Sequence, residues 1–194
     1  MADSTFGAEA LPIEGLKVIR PFYSEDIRGY FLKWYERDVF AELGISGLPY
    51  EDFETCSRKG VIRGLHFQTV KPQSKIVRVI SGRVKDVVVD LRRGSPTYGR
   101  HISLELSGEN RRILYIPGGF AHGFEVLSET AVMSYKCIGK YVKDADTGIY
   151  YASPGLDIRW ETREPIMTEK DLNLMTFREF TATFGGLESR ERER

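Results

Sequence analysis

The sequence predicts an all-β fold closed into a barrel, with a few short helices placed mostly toward the C-terminus. Three observations carry that expectation. From Leu16 to Trp160 the chain is a succession of short apolar runs separated by turn residues, which is how many short strands read. Between two of those runs stands Ile116-Pro117-Gly118-Gly119-Phe120-Ala121-His122-Gly123-Phe124, a corner built by one proline and two glycines. Beyond Trp160 the strand texture stops, and Thr168-Glu169-Lys170-Asp171 has the form of a helix start.

Taken in order, residues 1–12 read as a flexible arm, 13–186 as one domain, and 187–194 as a charged tail in which Glu and Arg alternate. Strands are expected at 15–20, 30–35, 51–57, 61–67, 75–81, 83–91, 100–106, 111–116, 122–127 and 130–137. Ser81-Gly82 between two β-rich runs reads as a hairpin turn, and Arg93-Gly94-Ser95-Pro96-Thr97 as a loop. A helix is expected at 36–43, stopped by Gly44. A short helical turn follows Thr168, and 175–183 forms a further short element. No repeat or linker divides the chain, and 194 residues suit one domain with a proper core.

Composition narrows the function classes. Twenty-eight basic residues balance 28 acidic ones, which speaks against a general nucleic-acid or membrane-surface binder. Two cysteines, Cys56 and Cys137, are too few for a disulfide scaffold and suit a reducing compartment. The first ten residues lack the basic and apolar regions of a signal peptide, and no apolar run approaches the ~20 residues of a membrane span. A cytoplasmic protein is the expectation.

Strand alternation sorts the side chains by face. Tyr135 shares a face with Ala131, Met133 and Cys137, and a buried tyrosine there needs a partner for its hydroxyl. His122 falls with Phe124 and Val126, and His66 with Ile62 and Gly64. Simple alternation puts Arg63 on the opposite face from His66, unless Gly64 sits at a bulge. Arg92 and Arg93, beside a turn, are expected in solvent, and His101 as an exterior strand residue without a role.

The Pro-x-Gly-x-x-His pattern ending at His122 resembles the turn that opens the second half of a cupin-type jelly-roll barrel, and implies that architecture. Metal-binding cupins pair it with an earlier His-x-His and a following Glu. Here the corresponding stretch is Gly64-Leu65-His66-Phe67-Gln68, and the only histidines are His66, His101 and His122. The usual set of nitrogen and oxygen ligands cannot be assembled from these. No metal and no cofactor are expected, which leaves the interior histidines for acid/base work.

Longer strings are more specific. Lys59-Gly60-Val61-Ile62-Arg63-Gly64-Leu65-His66-Phe67-Gln68, Asp90-Leu91-Arg92-Arg93-Gly94-Ser95-Pro96-Thr97, Ile116 to Phe124, Val126-Leu127-Ser128 and Tyr135-Lys136-Cys137 occur in one order and spacing. From about Leu16 to Phe177 the chain resembles the dTDP-4-dehydrorhamnose 3,5-epimerase family, metal-free cupins acting on nucleotide-linked 4-keto sugars. A ketone at C4 acidifies the protons on C3 and C5. Inverting such a centre takes a base on one ring face, an acid on the other, and a group that stabilises the enolate oxygen. The resemblance implies that His66 is the base, oriented by the Asp171 carboxylate, that Tyr135 is the acid, and that Lys75 lies near the keto oxygen. It implies a second site histidine in His122, substrate contact by Gln68, and diphosphate contacts by Arg28 and Arg63, whose guanidinium forks suit that dianion. A homodimer is implied as well, with the N-terminal strand region lending contacts to the partner's site.

Plainer readings stand beside these roles: Asp171 as a helix-start residue, Tyr135 as a core tyrosine, Arg28 and Arg63 as surface ion pairs. The chain also departs from the family at substrate-contacting positions. Lys33 stands where a glutamate is common, Glu51 and Phe53 replace a Gln-x-Asn pair, and Asp146 replaces a glutamate. The first expectation is epimerisation at C3, C5 or both of dTDP-4-dehydro-6-deoxyglucose. The alternatives are a CDP-, GDP- or UDP-linked 4-keto sugar, a non-catalytic sugar-binding cupin, which predicts loss of His66, Tyr135 or Lys75, and a metal-dependent cupin, which predicts the missing ligand set.

Overall fold

The computed structural model describes residues 5–188. Its strands are β1 (Gly7–Ala10), β2 (Lys17–Arg20), β3 (Phe22–Asp26), β4 (Gly29–Lys33), β5 (Pro49–Arg58), β6 (Ile62–Gln68), β7 (Ser74–Ser81), β8 (Arg83–Asp90), β9 (His101–Ser107), β10 (Ile113–Ile116), β11 (Phe120–Val126), β12 (Thr130–Ile138) and β13 (Asp146–Gly148). The helices are α1 (Arg37–Glu42), α2 (Glu169–Leu172) and α3 (Phe177–Phe184). All strand pairs within the sheets are antiparallel. One sheet runs β1-β2-β10-β7-β12-β5, the second runs β13-β6-β11-β8-β9, and β3–β4 is a separate hairpin.

The two sheets face each other as the expected jelly-roll. Their inward side chains form one apolar core, with Val77, Val79 and Met133 from the six-stranded sheet against Val84, Val88 and Phe124 from the five-stranded one. Both outer faces are covered too, which explains why β8 and β11 read as continuous apolar runs. Phe40 of α1 packs with Ile19, Ile76 and Ile113. Phe180 of α3 packs with Phe67, Val87, Val89 and Leu156. An eight-residue helix cannot stand alone in water. Here a capping box between Thr176 and Glu179 starts α3, and Gly185, at φ 62°, ends it.

The strands expected from the apolar runs are all present, with ends displaced by a few residues, and α1 ends before Gly44 as expected. Several expectations are corrected. The arm expected over 1–12 contains β1, paired with β2. Gly-Ala-Glu-Ala carries no strand signal, so its backbone pairing is a tertiary effect. β3 and β13 were likewise not expected. The tail expected from 187 begins later: Leu187 is buried and its N–H donates to the Leu91 carbonyl at 2.7 Å. Residues 1–4 of the arm and 189–194 of the tail lie outside the described residues. Arg92 is not a solvated side chain. It ion-pairs at 2.8 Å with Asp90, which is completely buried, and a buried carboxylate requires such a partner.

Candidate active site

A register shift builds the mouth of the barrel. His122 on β11 faces His66 on β6, and Phe124 faces Arg63. Two residues of β11 therefore span three of β6, a bulge centred on Gly64-Leu65. The extra residue returns Arg63 to the face of His66, which simple alternation denied. Gly64 adopts φ 117°, and a Cβ on it would lie 2.6 Å from the Gly123 Cα and 2.7 Å from the His122 carbonyl oxygen. Only glycine allows both the dihedral and the approach.

His66 is partly open to solvent, and its Nε2 lies 2.7 Å from Oδ1 of Asp171, which is only 4% exposed. The cap of α2 is Thr168, whose hydroxyl accepts the Asp171 N–H at 3.2 Å. The Asp171 carboxylate is thus free of the helix start and turned to the imidazole. Burial alone would raise that carboxyl. The His66 hydrogen bond and charge, the Gly64 N–H and Lys170 together hold it below the usual carboxylate range. A carboxylate accepting from Nε2–H fixes the ring's tautomer and leaves the Nδ1 lone pair free to take a proton.

Across the interior, Tyr135 projects from β12 in the other sheet, 6% exposed. Burial first, then the nearby Asp86, push its phenol well above the ordinary tyrosine range, so the group is a proton carrier in its resting form. Its ring centroid lies 6.2 Å from that of His122. His122 Nε2 sits 2.9 and 3.0 Å from the two carboxylate oxygens of Asp86, a second His–Asp pair and a fully buried one. Lys75 of β7 is the cross-strand neighbour of Cys137. Burial lowers its amine, while Cys137, Asp146 and Asp86 act the other way. The Cys137 thiol is raised to about 11, by burial against the opposing effect of Lys75, and so stays unreactive. Lys75, Gln68 and Asp146 line one cavity with Phe67, Ile116 and Phe120.

Strand β5 contributes Glu51, Phe53, Thr55 and Ser57 opposite Cys137, Tyr135, Met133 and Ala131. Phe53 stacks on Tyr135 with centroids 4.8 Å apart and planes 14° from parallel. Ser57 accepts from Arg63 Nε at 2.9 Å. Glu51 accepts the Tyr141 N–H at 3.2 Å, and Asp146 pairs with Lys170 at 2.8 Å. The Gln68 amide donates to the carbonyls of Lys71 and Lys140 and accepts from the Val142 N–H, so it also holds the loops at the cavity's edge.

One chain thus gathers His66, Asp171, Tyr135, Lys75, His122, Arg63, Gln68, Glu51, Phe53 and Asp146 around a single interior. It does not gather Arg28 and Lys33. Arg28 lies in the turn of the β3–β4 hairpin, its side chain 85% exposed and paired with Asp26, and Lys33 pairs with Glu36 at 2.8 Å. The hairpin packs chiefly on itself and leaves Ile27, Tyr30 and Phe31 exposed. Sequence reasoning missed Asp86 and Thr55. Asp86 had a signal, being an acidic residue at an inward position of a valine-rich strand. Among the described residues, no group of three or more His, Cys, Asp or Glu side chains is arranged to hold a metal.

Comparison with known proteins adds three findings. Residues 10–179 match the family described as dTDP-4-dehydrorhamnose 3,5-epimerase. The chain is 44% identical over 170 residues to the enzyme of that name from Methanothermobacter thermautotrophicus, covering 86% of this chain and 92% of that one. It is 39% identical to a dTDP-4-dehydrorhamnose 3-epimerase from Streptomyces niveus, over 87% of this chain and 83% of that one. Among solved structures, the dTDP-6-deoxy-D-glucose-3,5-epimerase of Legionella pneumophila, crystallised with dTDP-4-keto-L-rhamnose, superposes with a TM-score of 0.90 at 38% identity, covering 95% of this chain and 98% of that one.

Proposed function

This chain belongs to the dTDP-4-dehydrorhamnose 3,5-epimerase family, and on that premise we propose that it inverts C3 and C5 of dTDP-4-dehydro-6-deoxyglucose. The observation that carries this reading is the placement of His66 and Tyr135 on opposite sheets. A sugar ring held between the sheets then has the base on one face and the acid on the other. His66 Nδ1 takes the proton from the carbon next to the ketone, and the released electron pair moves onto the C4 oxygen. Asp171 stabilises the imidazolium, as carboxylates do for histidine bases. Lys75 faces the developing enolate oxygen, an oxyanion-type contact of a few kcal/mol. Tyr135 delivers a proton to the opposite face, which restores the ketone and inverts the centre.

Arg63 binds the diphosphate, while Gln68, Glu51, Phe53, His122 and Asp146 form the wall against sugar and nucleotide. In deuterium oxide the wild type is expected to form the 4-keto-rhamnose product with deuterium at C3 and C5. Conversion without label at either carbon overturns the mechanism, and label at C3 alone assigns a one-centre epimerase.

Arg28 and Lys33 reach a site only through a second copy. We infer a homodimer in which each β3–β4 hairpin inserts into the partner's cavity mouth, burying Ile27, Tyr30 and Phe31. Light scattering is expected to give the mass of two chains, and a monomer independent of concentration refutes the dimer. The two free cysteines support a reducing, cytoplasmic location, and no helix is long and apolar enough to cross a membrane.

A further inference from the structure

The hydroxyl of Thr55 is out of place by the usual rules. Its Oγ1 is buried on the inward face of β5 and makes no hydrogen bond of ordinary length, although buried polar groups are almost always satisfied. Its position explains it. Thr55 lies opposite Met133, and Phe53 opposite Tyr135. The Tyr135 side chain leans back along β12, so that its hydroxyl reaches Met133 Sδ at 3.6 Å. That brings the phenol beside Thr55, close enough for the threonine to favour the ionised form, while Asp86 disfavours it. Met133 sulfur is a weak acceptor, so neither hydroxyl has a strong partner in the resting enzyme.

We propose that Thr55 is a positioning residue for the acid step, its hydroxyl donating a hydrogen bond to the Tyr135 oxygen as the phenol gives up its proton. The inference rests on the epimerase reading above. In that step the Tyr135 O–H bond breaks, a C–H bond forms from the enolate's electron pair, the C4 carbonyl is restored, and the negative charge ends on the phenolate. Thr55 transfers nothing. Its O–H only turns toward a strong acceptor that did not exist before, and Phe53, stacked on the ring, keeps that acceptor in one plane. The strand thereby acts on the transition state and leaves ground-state binding alone.

Thr55→Val keeps the shape and removes the donor. Because the hydroxyl is unsatisfied at rest, the variant's melting temperature is expected to equal or exceed that of the wild type. Turnover is expected to fall ~10- to 100-fold with KM unchanged, the scale of one hydrogen bond to a charged group. With proton delivery slowed, His66 has time to return solvent deuterium to the original face, so recovered, uninverted substrate gains label relative to product. Thr55→Ser is expected to restore both turnover and partition. A wild-type rate and partition in Thr55→Val, or a serine variant as impaired as the valine one, overturns the inference alone. A wild type that neither exchanges nor converts the substrate overturns the epimerase reading and the inference with it.

Discussion

Replacing His66 with alanine is expected to lower turnover by ~1,000-fold, within the range a positioned general base supplies and equal to about 4 kcal/mol of barrier. No second group can take over. His122 is buried and held by both oxygens of Asp86, and His101 is on the outer side of β9, opposite Val89. The fold survives, because His66 is partly exposed and Asp171 retains the Gly64 N–H and Lys170. The Asp171 carboxyl then titrates closer to its ordinary range. A depressed carboxyl contributes stability above its unfolded pKa and loses it as pH falls, so this contribution shrinks in the variant. The readout is deuterium exchange at C3 and C5 of the 4-keto sugar. Exchange at the wild-type rate in His66→Ala places the base elsewhere.

Tyr135→Phe is expected to cost ~100- to 1,000-fold in product formation for the complementary reason. The ring and its stack on Phe53 remain, and the lost hydroxyl had only the Met133 sulfur as partner. Stability should change by less than ~1 kcal/mol. Unlike His66→Ala, this variant keeps its base, so it should still label the substrate while failing to invert it. Loss of exchange and of inversion in equal measure would mean that Tyr135 serves binding or folding, not proton delivery.

How much of this was readable beforehand differs from residue to residue. Tyr135 was placed inward by alternation alone, because β12 is regular around it and its neighbours Ala131, Met133 and Cys137 mark the face. The jelly-roll was legible from turns and apolar runs, since each is a local signal. The His66–Asp171 contact joins residues 105 positions apart, and no local pattern encodes it; only resemblance suggested it. The face of Arg63 depended on whether Gly64 bulges, a choice made by the backbone of β11 pressing against it. Asp86 and Thr55 were overlooked because one carboxylate and one hydroxyl within strand sequences look like ordinary variation until a partner strand is set beside them. The solvated reading of Arg92 failed for the same reason: its burial is dictated by Asp90, whose own burial only the closed barrel reveals.

The position of Asp171 has a consequence for how a newly made molecule becomes competent. As the ribosome releases the chain, every strand of the barrel, and with them the base, the acid and the lysine, is available before the segment that carries the orienting carboxylate. That segment settles onto the outer face only when Phe180 and Leu187 find their places among Val87, Val89 and Leu91. A nascent barrel therefore holds its imidazole unaligned until the last stretch of chain has docked. Proton abstraction begins when synthesis is nearly over, so reactive chemistry is withheld from half-made molecules by the order of the residues alone.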